Sequence, residues 1–199
     1  MSWRPPVAFI LASASPRRLD LLNQIGRIPD RVEPADIDEA TKPGESPRQL
    51  VERLATLKAN AIAQRCTDDV VLGADTVVAC GRRILPKPDN ETDARAYLRL
   101  LSGRRHRVYG GIALISPQGQ WSRVVMTQVL FKRLTDNEIS AYMASGEWQG
   151  KAGAYGIQGR AGAFVKRING SYSNVVGLCL NVAENLLSEH LGSPARDRD

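Results

Sequence analysis

Asp75 is a carboxylate set inside an apolar strand. It stands in Gly73-Ala74-Asp75-Thr76-Val77, midway along the valine-rich run Val70 to Ala79. An unpaired carboxylate is expensive to bury. Asp75 must therefore be paired, bound to a metal, catalytic, or capping a neighbouring loop, and charges in apolar surroundings point toward a site. Thr76 alternates to the other face of a regular strand. A bulge or strand end there would turn both side chains into one cleft.

The second constellation is Ser15-Pro16-Arg17-Arg18, between the apolar run Ala8 to Leu11 and the helical stretch Leu19 to Ile25. Ser15 suits an N-cap and Pro16 the first helical position. Two arginines at the positive end of a helix dipole are misplaced for the helix alone. A phosphate would make them favourable, while the plain alternative leaves both in solvent. Lys58 lies in a helical stretch, and Lys87 lies between Pro86 and Pro88, which hold the backbone extended. Either could be a point charge for phosphate or a surface lysine. Asp36-Ile37-Asp38-Glu39 offers hard oxygen ligands of the kind Mg²⁺ takes, or a solvated loop. In the glycine-dense stretch from Lys151 to Gly159, the backbone can approach a ligand closely. Gln158, which both donates and accepts, could read a base edge there. Ser171-Tyr172-Ser173-Asn174 reads as a polar loop able to line the same cleft.

The elements that must position these residues alternate as in an α/β domain. Strands are expected at Val7 to Leu11, Val70 to Ala79, Arg107 to Ile115, Ser122 to Lys132 and Phe164 to Ile168. Helices are expected at Pro16 to Ile25, from Ser46 onward, at Thr92 to Leu101, from Thr135 to near Gly146, and at Asn181 to Leu191. Ser46-Pro47-Arg48-Gln49 and Thr135-Asp136-Asn137-Glu138 are capping boxes. The helix opened by Ser46 carries Leu50, Leu54, Leu57 and Ala61 on one face.

The chain has 199 residues, 43% hydrophobic and 24% charged, with a net charge of +6. These values fit one soluble domain spanning 1–199, with a core at about 7–191 and a polar, disordered tail at 192–199. No apolar run reaches the length of a membrane span, and Met1 to Pro6 lacks a signal-peptide pattern, so a cytoplasmic location is expected. The basic residues are scattered along the chain rather than striped with aromatics, which argues against nucleic acid as a partner. Cys66, Cys80 and Cys179 form no metal or disulfide pattern and read as small hydrophobes. His190 reads as structural, and His106 as a solvent or core residue or one that orients a loop. The P-loop, Rossmann, H-E-x-x-H and G-x-S-x-G motifs are all missing from the sequence.

Taken together, Leu11-Ala12-Ser13-Ala14-Ser15-Pro16-Arg17-Arg18, Lys58-Ala59, Gly73 to Val78, Lys87-Pro88, Leu101-Ser102-Gly103, Lys151 to Gly159 and Ser171 to Leu180 resemble the Maf family of nucleoside triphosphate pyrophosphatases. The resemblance covers Phe9 to about Leu187. It implies an α/β fold of Maf/ITPase-like type: a mixed central sheet flanked by helices, two lobes around a nucleotide-binding cleft, and a homodimer. It implies hydrolysis of a nucleoside triphosphate to monophosphate and pyrophosphate with Mg²⁺ or Mn²⁺. Gly73 to Thr76 and Ala154 to Gln158 look like the branch acting on dTTP and UTP rather than the branch acting on 7-methyl-GTP.

By the same resemblance, Asp75 is the proton acceptor, and Arg17, Thr76 and Gln158 bear on substrate choice. The mechanism expected from the residues adds a metal held by Asp75 with Glu39, and phosphate contacts from Ser13, Arg17, Arg18, Lys58 and Lys87. Cys179 and Pro86 depart from the family's usual proline and glycine, respectively. A rival reading is a nucleotide-binding regulator of cell division with little turnover.

Overall fold

The computed structural model describes residues 7–191. The segment read above for a leader (1–6) and the expected tail (192–199) lie outside the described residues. The elements run β1 (Phe9–Ala12), α1 (Pro16–Gln24), β2 (Arg31–Val32), α2 (Pro47–Ala63), β3 (Val70–Cys80), β4 (Arg83–Leu85), α3 (Glu91–Leu101), β5 (Arg105–Ser116), β6 (Gly119–Phe131), α4 (Asp136–Ala144), β7 (Val165–Asn169), α5 (Tyr172–Val176) and α6 (Leu180–Leu191). Two 3₁₀ turns, Ala152–Ala154 and Arg160–Phe164, lie between α4 and β7. Among the described residues, no helix is long and apolar enough to cross a membrane.

All seven strands share one sheet in the order β2-β1-β3-β5-β6-β7, with β4 also beside β3. β2, β1 and β3 are parallel, and every other pairing is antiparallel. This is the expected mixed sheet. The chain leaves β1 for β2 on one side and returns to β3 on the other. In open α/β sheets, ligands sit beyond the carboxyl ends of strands at such a reversal.

One edge of β3 is interrupted. β1 covers it only from Val70 to Gly73, and β4 takes over only from Val78. The edge from Ala74 to Val77 is left open, while β5 pairs with the other edge without a break from Val71 to Ala79. No bulge is present at Asp75–Thr76. The two side chains point to opposite faces, and both reach the cleft because the edge between them is bare.

Helix α2 starts at the expected capping box, in which Ser46 Oγ accepts from Gln49 N. Its buried stripe is rotated from the expected one. Leu50 and Leu54 are inside, but Leu57 is 39% exposed, and Val51, Ala55, Lys58, Ala59 and Ile62 are buried instead. The reason is close approach. A Cβ on Gly73 would stand 2.4 Å from Ala55 O, and one on Gly111 would stand 2.3 Å from Val51 O. Only a seam of small helix residues over bare sheet glycines packs this tightly. That seam turns Lys58 inward.

The other face of the sheet carries the larger core. Leu72, Ile112 and Leu114 pack there with Leu21 and Leu22 of α1, Leu98 and Leu101 of α3, Ile139 and Tyr142 of α4, and Leu186 and Leu187 of α6. Strand β6 alternates, with Thr127, Val129 and Phe131 fully buried. Strands β2 and β4 are too short to leave a periodic signal, and the sequence reading does not contain them. The expected polar loop at Ser171–Asn174 is the start of helix α5, capped by Ser171 Oγ on Asn174 N. Asn174 is fully buried; its Nδ2 donates to Val108 O at 3.2 Å and Thr127 Oγ1 at 3.1 Å. A Cβ on Gly110 would meet its Oδ1 at 1.9 Å.

Candidate active site

A cleft opens at the bare edge of β3. Its lining includes Arg17, Arg18, Asp75, Thr76, Lys87, Lys151 and Gln158. α1, β3, the stretch from Gly150 to Gln158 and the end of α5 all contribute to it.

Asp75 is 7% exposed. Its Oδ1 accepts from Lys58 Nζ at 2.6 Å, and the same ammonium lies 2.6 Å from Glu39 Oε1. Lys58 thus supplies the charge partner a buried carboxylate needs. Among the described residues, Asp75 Oδ2 has no protein hydrogen bond. Burial works against the charged form of Glu39, but Lys58, Lys87 and Arg18 outweigh it and hold its carboxyl below the usual range. Of the acidic segment, only Glu39 reaches this point, whereas Asp38 Oδ1 accepts from Ala40 N within its own loop.

The two arginines of α1 divide. Arg18 is buried and structural in its contacts. Its Nε donates to Gly177 O at 3.0 Å, its Nη1 to Ser13 Oγ at 2.9 Å and its Nη2 to Thr76 Oγ1 at 3.2 Å. Burial lowers its pKa, with the charges of Asp75 and Glu39 opposing. Thr76 Oγ1 also lies 3.4 Å from Gly177 O, so its hydroxyl is drawn toward the end of α5. Ser15 has N-cap dihedrals but its side chain caps nothing; Ser13 Oγ accepts from Ser15 N instead. Arg17 points into the cleft. Among the described residues, neither its side chain nor that of Lys87 has a hydrogen bond or ion pair.

Lys151 is a cleft cation that sequence reasoning did not single out. Its Nζ donates to Glu147 O at 2.5 Å, and its stem crosses Gly156, where a Cβ would stand 2.7 Å from Cε. Burial, then the nearby Arg17, push its pKa down. The signal available was a lysine heading a glycine-rich stretch, and many surface lysines share it. The Glu147 carboxylate accepts from Arg160 N at 2.8 Å, and a Cβ on Gly159 would stand 2.0 Å from its Oε2. The turn that presents Gln158 is thereby pinned.

The sheet breaks its edge where a carboxylate–lysine pair meets a group of cations, which defines an α/β protein with a strongly charged cleft at an open strand edge. The profile of the Maf-like protein family matches residues 8–190. The chain belongs to that family. It is 58% identical over 182 residues to the dTTP/UTP pyrophosphatase of Caulobacter vibrioides, covering 91% of this chain and 94% of that one. It is 59% identical over 179 residues to the dTTP/UTP pyrophosphatase of Paramagnetospirillum magneticum, covering 89% and 94%. Among solved structures, a HAM1 protein from Coxiella burnetii overlaps 64% of this chain and 74% of its own, at 16% identity and a TM-score of 0.45.

The Asp75–Glu39 carboxylates suit a hard cation that takes one or two protein carboxylates and fills its shell with water and phosphate. No group of three or more His, Cys, Asp or Glu side chains able to cage a metal is found among the described residues.

Proposed function

We propose that this chain hydrolyses dTTP and UTP to the monophosphate and pyrophosphate, the activity for which its relatives are named. The observation that carries the reading is the charge arrangement of the cleft. Arg17, Lys87 and Lys151 are cations without carboxylate partners, and they line the same space as a buried carboxylate. Cations gathered in one cleft without carboxylate partners favour a multiply charged anion.

The triphosphate lies against these three cations, which take up the charge that builds on the leaving pyrophosphate. Asp75 Oδ2 accepts a proton from the attacking water, while Lys58 holds Oδ1 and fixes the carboxylate. Arg18 does not need to touch substrate: through Ser13, Thr76 and Gly177 it sets the wall of the cleft. Gln158 offers a donor and an acceptor to the base, and a site of that kind rejects a mismatched base strongly. Asp75 and Glu39 would hold a Mg²⁺ or Mn²⁺ ion. When bound, such an ion screens phosphate charge and acidifies water.

Pyrophosphate release from dTTP, UTP, CTP, dATP, GTP and 7-methyl-GTP tests this reading, with Asp75→Asn as the control. Preference for dTTP and UTP is expected. Asp75→Asn should lose about 10²–10⁴-fold in kcat, the range of a general base, with unchanged circular dichroism. Release from 7-methyl-GTP above all others would overturn the substrate choice. Metal-dependent dTTP binding without release would favour the regulator.

A further inference from the structure

The loop that carries Gln158 is held by a contact remote from the reacting atoms. Gly153 and Ala154 are consecutive left-handed residues, with φ of +69° and +63°. Ala154 is the single non-glycine residue with positive φ among the described residues. Such strain persists only where the surroundings over-determine it. One constraint is Val78, whose Cγ1 would stand 2.8 Å from a Cβ on residue 153. The other lies one residue on. The double left-handed turn drives Tyr155 inward, to 6% exposure, edge-to-face against Phe131 and His106. The Tyr155 hydroxyl lies 2.8 Å from His106 Nε2. His106 is 1% exposed and does not line the nucleotide cleft. Tyr155 itself borders the cleft, and beyond it the chain turns back out so that Gly156, Ile157 and Gln158 line the same space.

We propose that His106 is a positioning residue for base recognition: by holding the Tyr155 hydroxyl it fixes the Gly153–Ala154 turn, and with it the place of Gln158 in the cleft. This rests on reading the cleft as a nucleotide site. Removing either partner leaves a buried polar atom unpaired, so the loop relaxes toward an unstrained path. Asp75 bonds neither His106 nor Tyr155; its carboxylate is held by Lys58 from α2. The expected effect therefore falls on substrate affinity and selectivity, with turnover preserved.

The test compares wild type with Tyr155→Phe, His106→Leu, His106→Gln and the double variant Tyr155→Phe/His106→Leu. Tyr155→Phe removes a single oxygen and keeps the ring packing. Tyr155→Phe and His106→Leu should each raise KM for dTTP about tenfold and lower the dTTP-over-dATP ratio of kcat/KM about tenfold, the scale of one lost hydrogen bond, with kcat within about twofold. The double variant should be no worse than the poorer single variant, because both remove the same contact. Gln at 106 should restore part of the selectivity.

Amide hydrogen exchange should quicken about tenfold at 153–158, with β1 and α2 unchanged. Lower thermal stability with KM and selectivity intact, or exchange that quickens evenly along the chain, would overturn the proposal. If wild type itself releases no pyrophosphate, the proposed function fails, and the exchange comparison alone still decides whether His106 positions the loop.

Discussion

At the scale of single residues, the site is a set of polar groups whose partners lie far away in sequence. Asp75 meets Lys58 across the α2–β3 contact, and Arg18 meets Gly177 from the other end of the chain. His106 is the residue whose titration should be felt most by the fold. Burial pushes its pKa down to about 4, with a backbone contact at Arg104 working the other way. The folded value lies below the unfolded value of about 6.5. Stability from the neutral imidazole is therefore full above pH 6.5 and falls as pH drops toward 4. We expect wild type to lose about 3 kcal/mol over that window through this group. His106→Gln should lose correspondingly less, as read by urea denaturation at pH 7 and pH 4.5. Equal losses in both proteins would show that the imidazole stays charged inside.

At the scale of elements, the decisive contact is the seam between α2 and the sheet. Gly73 and Gly111 let the helix backbone come close enough for Lys58 to reach Asp75. A methyl at 111 would press on Val51 O, which is backbone and cannot swing aside. Gly111→Ala should cost about 1–3 kcal/mol, the range for overpacking, and lower Tm by about 2–4 °C per kcal/mol in a chain of this size. Because α2 carries Lys58 away with it, kcat should fall while KM for dTTP stays near wild type, since the cleft cations lie on other elements. An unchanged Tm and kcat would show that the seam has slack.

Pro86 belongs to the same scale. Its carbonyl accepts from Gly153 N at 3.2 Å. A backbone acceptor survives the exchange of glycine for proline, so the departure at 86 leaves that tie intact. Cys179 is likewise buried, with its carbonyl accepting from Ala183 N at the start of α6.

At the scale of the whole molecule, the net charge of +6 acquires a direction. Along the sequence the basic residues look scattered. In the fold, Arg17, Lys87 and Lys151 come from α1, the segment after β4 and the turn after α4, and they converge on one cleft. Glu45, Glu138 and Glu184 are meanwhile spent on ion pairs with Arg53, Lys132 and Arg27 elsewhere. Attraction of a triphosphate to such a cleft is screened by salt, with a Debye length of about 8 Å at 0.15 M. KM for dTTP should therefore rise steadily with KCl concentration while kcat changes little. A KM flat across that titration would mean that the three cations do not carry the binding.

Much of this protein is legible in the sequence because it is local. Capping boxes at Ser46 and Thr135 and the valine run of β3 each depend on neighbours a few residues away, and each forms where its pattern says. Asp75 stands out for the same reason, since a carboxylate among valines signals its cost without any structure. Other features depend on approach between distant segments, and there the pattern is silent or misleading. The stripe of α2 is turned by glycines on β3 and β5, so Leu57 faces out and Lys58 faces in. Two adjacent arginines of identical type separate into one that braces Ser13, Thr76 and Gly177 and one that is left free in the cleft. Asp75 and Thr76 share the cleft because β1 ends before β4 begins. Their joint access is decided by where neighbouring strands stop, and only the tertiary structure sets those ends.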